Sequence, residues 1–153
     1  MHALELRVPP PLVALLIAAA MWCISLLPPS FEPPAVSRVV TAIALAAMGA
    51  AFSLSGVFAF RRARTTVNPL KPSSASSLVS GGVYKVTRNP MYVGMLFLLL
   101  AWATFLWSVW SVLGALLFAA YITRFQIVPE ERALTALFGA EYATYRSRVR
   151  QWL

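Results

Sequence analysis

Aspartate is absent from the 153 residues, and cysteine and histidine occur once each, as Cys23 inside an apolar run and His2 beside the terminus. No disulfide framework, zinc cluster or Ser-His-Asp triad can be assembled from that set, so no metal site is expected. Charge is scarce as well: 12% of residues are charged against 59% hydrophobic, and the mean hydropathy is +0.72. An ordinary water-soluble domain carries about twice that charge. The charge that is there is lopsided, 13 Lys and Arg against 5 acidic residues, for a net of +8. This surplus does not read as a nucleic-acid surface, because the basic residues lie between and beyond long apolar runs, as they do at a charged membrane face.

A hydrocarbon core of about 30 Å needs roughly 20 apolar residues in a helix. Four runs approach that length, 11–27, 39–60, 91–107 and 109–128. The first is short and alanine-rich like a signal peptide, but its leader offsets Arg7 with Glu5, a poor positive flank, so it is read as a span. Ser108 alone separates the last two runs, which predicts a tight helical hairpin with Trp107 and Trp110 at the far membrane face. The connection 61–90 holds Arg61, Arg62, Arg64, Lys71, Lys85 and Arg88, while 28–38 holds only Arg38, so the former is expected in the cytoplasm. Four crossings return both termini to that side, together with Arg132, Arg146, Arg148 and Arg150.

The expected fold is therefore an all-α integral membrane protein with about four transmembrane helices. A single membrane domain spans 1–153, with two helices in 11–60, a cytoplasmic loop at 61–90, a transmembrane hairpin at 91–128 and an amphipathic helix at 129–153. Gly49 and Ser53, with Ala46 and Ala50, form a small-residue stripe that lets another helix approach closely. Residues 73–80 are Ser-rich and read as loop. Pro129-Glu130-Glu131 supplies a helix start, since proline fits a first turn and carboxylates suit the positive end of the dipole. Leu134, Leu137, Phe138, Tyr142, Tyr145, Val149 and Trp152 then recur every three or four residues among charges, which is the pattern of an amphipathic helix. Such a helix either lies along the membrane surface or folds under the bundle as a lid. Gly139 interrupts it and predicts a bend or a close contact.

Two polar clusters remain once the spans are assigned. One runs from Gly82 to Gly94 through Tyr84, Lys85, Val86, Thr87, Arg88, Asn89, Pro90 and Tyr92; the other runs from Arg124 to Leu134 through Glu130 and Glu131. Since the third and fourth spans are hairpin partners, the two clusters meet at one membrane face. Taken singly, their residues have structural explanations: arginines reaching lipid headgroups, Asn89-Pro90 opening a helix, glutamates capping another. Taken together they form an ordered pattern, with Gly82, Tyr84, Arg88, Asn89, Pro90, Tyr92 and Gly94 in one half and Glu130, Glu131, Leu134, Phe138, Gly139, Tyr142 and Tyr145 in the other. On those residues the chain resembles the isoprenylcysteine carboxyl methyltransferase family and its phospholipid N-methyltransferase and bacterial membrane relatives. The resemblance covers about residues 65–149, including the entry Thr65-Thr66-Val67-Asn68-Pro69.

The resemblance implies S-adenosylmethionine in a cytoplasmic pocket closed by the C-terminal helix, and a methyl group delivered to a lipophilic small molecule or lipid from the bilayer. In that reading Tyr84, Lys85, Val86, Thr87, Asn89, Pro90, Glu130, Glu131, Tyr142 and Tyr145 hold the cofactor. Arg88, Tyr92 and Arg124 serve the transfer, Arg124 being equally readable as a headgroup contact or a partner of Glu130 or Glu131. Transfer from a sulfonium has its leaving group built in, and holding donor and nucleophile in line in a dry pocket lowers the barrier. Prenylcysteine enzymes usually carry His where Asn89 stands, so the acceptor does not follow from the resemblance. The absence of an evident general base suits an acceptor that is already ionised, such as a carboxylate; an amine is the other candidate. The implied setting is a bacterial inner membrane, with membrane lipids as partners and no nucleic acid. A nicotinamide-dependent membrane reductase of related architecture and a non-enzymatic helical scaffold are the competing readings.

Overall fold

The computed structural model describes residues 5–26, 34–64 and 76–153. His2, the start of the leader, most of the 28–38 connection, the Thr65–Pro69 entry, Lys71 and the first part of the Ser-rich stretch lie outside the described residues. The elements in chain order are α1 (Pro10–Ser25), α2 (Ala35–Arg62), a 3-10 turn (Gly82–Lys85), α3 (Pro90–Leu106), α4 (Val109–Ile122), a π turn (Thr123–Ile127) and α5 (Val128–Arg148). Every regular element among the described residues is helical; the one β feature is an isolated parallel bridge between Thr87 and Arg150.

Two helical stretches are long and apolar enough to cross a membrane, α2 and the continuous run Val109–Arg148 that contains α4. α1 and α3, with 16 and 17 residues, are shorter apolar helices of about 24–26 Å at 1.5 Å per residue. The apolar surface points outward: Leu15, Leu16, Val40, Phe58, Trp110 and Leu116 are all more than half exposed. In water such a surface would drive association, whereas hydrocarbon accepts it without cost. The protein is a membrane protein on these grounds.

The tightest contact is between α2 and α3. A Cβ built on Gly94 would stand 2.1 Å from Ser53 Oγ and 2.6 Å from the Gly49 carbonyl oxygen, so the two backbones touch where the Gly49/Ser53 stripe was expected to admit a neighbour. α1 packs on α4 and α3, with Trp102 Nε1 donating to the Ala18 carbonyl at 3.0 Å and Ser111 Oγ to the Met21 carbonyl at 3.2 Å. The core joins Val13 and Met21 to Tyr92, Leu99, Phe118, Ile122 and Ile127. The hairpin expected from the lone Ser108 is present: Trp107 takes a left-handed conformation (φ 50°), Ser108 is extended, and α4 begins at the next residue.

Two sequence expectations change, and one is met. First, Pro129, Glu130 and Glu131 do stand in the first turn of α5, but that helix is not set apart from the fourth apolar run, because α4 continues into it through the π turn. In a regular helix the residue-129 amide would bond the Phe125 carbonyl; proline has no such amide, and the Leu6 N–H donates there instead at 3.1 Å. Glu5 follows it, pairing with Arg124 and Arg132 and strapping the leader onto the turn. Second, of the two alternatives expected at Gly139 the bend is the one found (φ 49°, ψ −119°): an added Cβ would meet nothing within 4 Å, so the glycine is needed for conformation and not for space. Third, the helix stops at Arg148 and does not continue through Trp152. Of the expected apolar stripe, Tyr142 is buried, Leu134, Phe138 and Tyr145 are partly buried, and Leu137 is exposed. Val149 and Trp152 belong to an extended tail that the Thr87–Arg150 bridge ties to the entrance of α3.

Candidate functional site

The site is assembled where the segment entering α3 meets the start of α5. Gly82 adopts a positive φ of 60°, which lets the chain enter the 3-10 turn, and that turn buries Tyr84 edge-on against Phe60 of α2 (centroids 5.5 Å apart). Burial, followed by the nearby Tyr145 and Glu130, holds the Tyr84 hydroxyl well above its ordinary range, so it stays protonated. Tyr145 closes the same corner, its hydroxyl donating to the Tyr84 carbonyl at 2.7 Å.

Thr87, Arg88 and Asn89 are held by the C-terminal tail. The Arg88 N–H donates to the Arg150 carbonyl at 2.9 Å, and the Gln151 carbonyl accepts from Thr87 Oγ1 at 3.2 Å and from Asn89 Nδ2 at 2.9 Å. Asn89 therefore stands at the N-cap position of α3 without capping it. Pro90, at the first helical position, needs no amide partner there.

The Arg88 side chain, about 10% exposed, donates from Nε and Nη2 to Glu131 Oε1 at 3.2 and 2.7 Å, and from Nη1 to the carbonyls of Arg146 and Val149. Glu131 is further met by Gln151 Nε2 on Oε1 (3.4 Å) and by Arg146 3.6 Å from Oε2. One turn of α3 further on, the Tyr92 hydroxyl donates to Glu130 Oε1 at 2.6 Å, and Gln126 Nε2 donates to the same oxygen at 2.7 Å. Glu130 lies beyond the end of the fourth apolar run, and its carboxyl is raised to about 7. Burial is the main cause, the hydrogen bonds from Tyr92 and Gln126 pull the value back, and Glu131 adds to the rise.

The expected juxtaposition of Arg88 and Tyr92 with Glu130 and Glu131 is thus found as two direct contacts. Arg124 is not part of it: its guanidinium pairs with Glu5 at 3.2 Å and lies over the Phe125 ring, and the side chain is 45% exposed. Gln126, Gln151 and Arg146 join the cluster, and Glu5 takes Arg124, although the sequence assigns none of the four to a site. Gln126 carried a signal nonetheless, as an amide inside an apolar run that turns out almost fully buried. Gln151 and Arg146 had none, because their roles depend on where the tail folds.

Beside this cluster opens a cleft of about 640 Å³, within the size range of small-molecule pockets (roughly 300–1,000 Å³). Of the residues the sequence assigns to a cofactor, Lys85 and Tyr145 line it, together with Ser80, Glu141, Thr144 and Arg148, while Tyr84, Val86, Thr87, Asn89, Pro90, Glu130, Glu131 and Tyr142 do not. An aromatic face, two cations, one carboxylate and two hydroxyls match the chemistry of a nucleoside bearing a zwitterionic amino-acid group. Val86 is exposed on the turn between Lys85 and Thr87, and Tyr142 is buried on α5 beside Tyr145 (ring centroids 6.2 Å).

Residues 37–141 match the phospholipid methyltransferase family. Among curated relatives, an uncharacterized protein of Haemophilus influenzae is 43% identical over 63 residues, covering 41% of this chain and all of its own length. Methanethiol S-methyltransferase 2 of Bradyrhizobium diazoefficiens is 45% identical over 67 residues, 44% of this chain and 25% of that protein. Methanethiol S-methyltransferase of Pseudomonas deceptionensis is 33% identical over 96 residues, 61% of this chain and 34% of that protein. The chain therefore aligns with only a quarter to a third of the named relatives' lengths. No solved structure matches it.

Proposed function

The chain belongs to the phospholipid methyltransferase family, and on that premise we propose that it is an S-adenosylmethionine-dependent methyltransferase acting on a lipophilic acceptor at the cytoplasmic face of a bacterial inner membrane. The observation that carries the reading is the double contact Arg88–Glu131 and Tyr92–Glu130, which joins the two halves of the sequence pattern next to a cleft of ligand size. When bound, S-adenosylmethionine supplies an electrophilic methyl group on a sulfonium. Lys85 and Arg148 suit its carboxylate, Glu141 its ammonium group, Ser80 and Thr144 its ribose, and Tyr145 its base or its cationic sulfur. Arg88 and Glu131 satisfy each other, which assigns them to pinning α5 and the tail over the entrance to α3. The names of the two relatives extend the acceptor class from carboxylates and amines to thiols.

For the topology we take four crossings, α1 to α4, with both termini inside. Arg61, Arg62, Arg64, Lys85 and Arg88 then lie on the same side as Arg146, Arg148 and Arg150, with Arg38 on the other, as the positive-inside rule favours.

The test is calorimetry on the purified protein in detergent with S-adenosylmethionine, S-adenosylhomocysteine and NADPH, followed by incubation of methyl-labelled cofactor with native membrane lipids. Binding of the first two and a labelled product support the reading. A response to NADPH alone, or to none of the three, removes it.

A further inference from the structure

Arg124 stands at the end of a lipid-facing stripe. Along α4 the exposed positions include Leu113, Leu116, Leu117 and Ala120, and Arg124 continues their spacing of three or four residues into the π turn, with its side chain 45% exposed. Its guanidinium therefore lies at the level where hydrocarbon gives way to headgroups. It does not stand alone there. Glu5, whose side chain is only 10% exposed, takes Arg124 Nη1 on Oε1 at 3.2 Å and Arg132 Nη2 on Oε2, so one carboxylate holds two guanidiniums side by side. Arg132 is 59% exposed, and Arg7, two residues on in the same leader, is exposed as well.

Glu131 also gathers two arginines, with the opposite result. Arg88 is about 10% exposed there and commits all three of its nitrogens to Glu131 and two backbone carbonyls. Arg124 and Arg132 each give a single nitrogen to Glu5, which leaves most of each five-donor fork uncommitted. Two guanidiniums against one carboxylate also leave this corner net positive.

We infer that Arg124 and Arg132, bridged by Glu5, bind the phosphate of an anionic lipid headgroup. Two forks held by a shared carboxylate offer paired N–H groups to phosphate oxygens, a geometry that an ammonium cannot reproduce. The net positive charge selects a headgroup that carries no cation of its own. The acyl chains of the same lipid lie along the leucine stripe of α4, a contact that free phosphate cannot make. None of the three side chains lines the cleft given to the methyl donor, so this is a separate site, and it stands whether or not that donor binds. Through the lipid the leader, the π turn and the start of α5 are held together at the headgroup plane.

The test uses the full chain in detergent, with native mass spectrometry after addition of phosphatidylglycerol, phosphatidylcholine of the same acyl chains, or inorganic phosphate. Phosphatidylglycerol should be retained at least about tenfold better than phosphatidylcholine, and inorganic phosphate at the lipid's concentration should not displace it. Arg124→Gln combined with Arg132→Gln should abolish the preference, whereas Arg124→Lys with Arg132→Lys should keep only part of it, because charge remains and the fork is lost. Arg61→Gln with Arg62→Gln, which removes the same charge from the end of α2, should leave the preference unchanged. Equal retention of the two lipids, displacement by inorganic phosphate, or an equal loss in the α2 variant each overturns the site. If the paired Gln variant does not fold, the Lys pair and Arg132→Gln alone decide, and full retention in both overturns it.

Discussion

The hydroxyl of Tyr92 donates to Oε1 of Glu130 at 2.6 Å, linking the first turn of α3 to the first turn of α5 across 38 residues of sequence. The bond favours the ionised carboxyl, so its loss moves Glu130 further from the ordinary carboxylate range. A hydrogen bond to a charged group is worth about 1.5–3 kcal/mol, or roughly 1–2 pH units. Difference infrared spectra of the wild type should show the Glu130 carboxyl protonating near pH 7, and in Tyr92→Phe that signal should move at least about one unit upward. An unmoved signal would mean that Gln126 alone holds the carboxylate.

Stability should depend on pH through the same group. Its folded value of about 7 lies above the ordinary 4.5, so the folded state holds the proton more tightly than the unfolded chain. The contribution is complete below the ordinary value and disappears as pH rises through the folded one. At about 1.4 kcal/mol per unit it is worth on the order of 3 kcal/mol. The thermal midpoint in detergent should therefore fall between pH 5 and pH 8, and Glu130→Gln should flatten that slope; an equal slope in the variant would place its origin elsewhere.

Arg88 and Glu131 form a mutually buried pair, so removing Arg88 leaves the Glu131 charge with only the exposed Arg146, 3.6 Å from Oε2. Arg88→Met should cost about 3–5 kcal/mol and free the tail, because the contact to the Val149 carbonyl is lost with it. Chymotrypsin digestion at Trp152 should accelerate in the variant. A midpoint and a digestion rate equal to wild type would show that the tail is held without Arg88.

Gly94→Ala places a methyl group against Ser53 Oγ and the Gly49 backbone, where the helices have no room to give. Overpacking of this kind costs about 1–3 kcal/mol. The double variant Gly94→Ala with Ser53→Gly should recover only part of it, since the Gly49 carbonyl remains 2.6 Å away. Full recovery would locate the clash in the serine alone.

Glu5→Gln should matter little, because its partners Arg124 and Arg132 are 45% and 59% exposed and such pairs contribute about 0–1 kcal/mol. Its effect should shrink further in high salt. Deleting residues 1–8 also removes the Leu6 bond to the Phe125 carbonyl, and should lower the midpoint well beyond the single substitution. Equal midpoints for the two variants would show that the leader strap contributes nothing through its backbone.

The helical class, the hairpin about Ser108 and the close helix approach at Gly49 were legible because each is a local consequence of composition or spacing. The meeting of Arg88 and Tyr92 with Glu130 and Glu131 was legible too, since two helices joined by a single residue must bring their far ends together. The chain past Arg148 was not. Val149 and Trp152 keep the helical period, yet the tail peels away because pairing with Thr87 and Arg88 satisfies its backbone better than another turn would. Arg124 was equally opaque, since the sequence offered it headgroups, Glu130 or Glu131, and the partner it takes is Glu5, far away in the chain.

Composition and periodicity determined by themselves that this chain is helical and apolar enough for a membrane, because burial of apolar surface depends on residue type and repeat alone. Tertiary structure decided which carboxylate each arginine meets. Charge pairing is settled by distances of a few ångströms between segments far apart in the chain, and no local pattern encodes those distances.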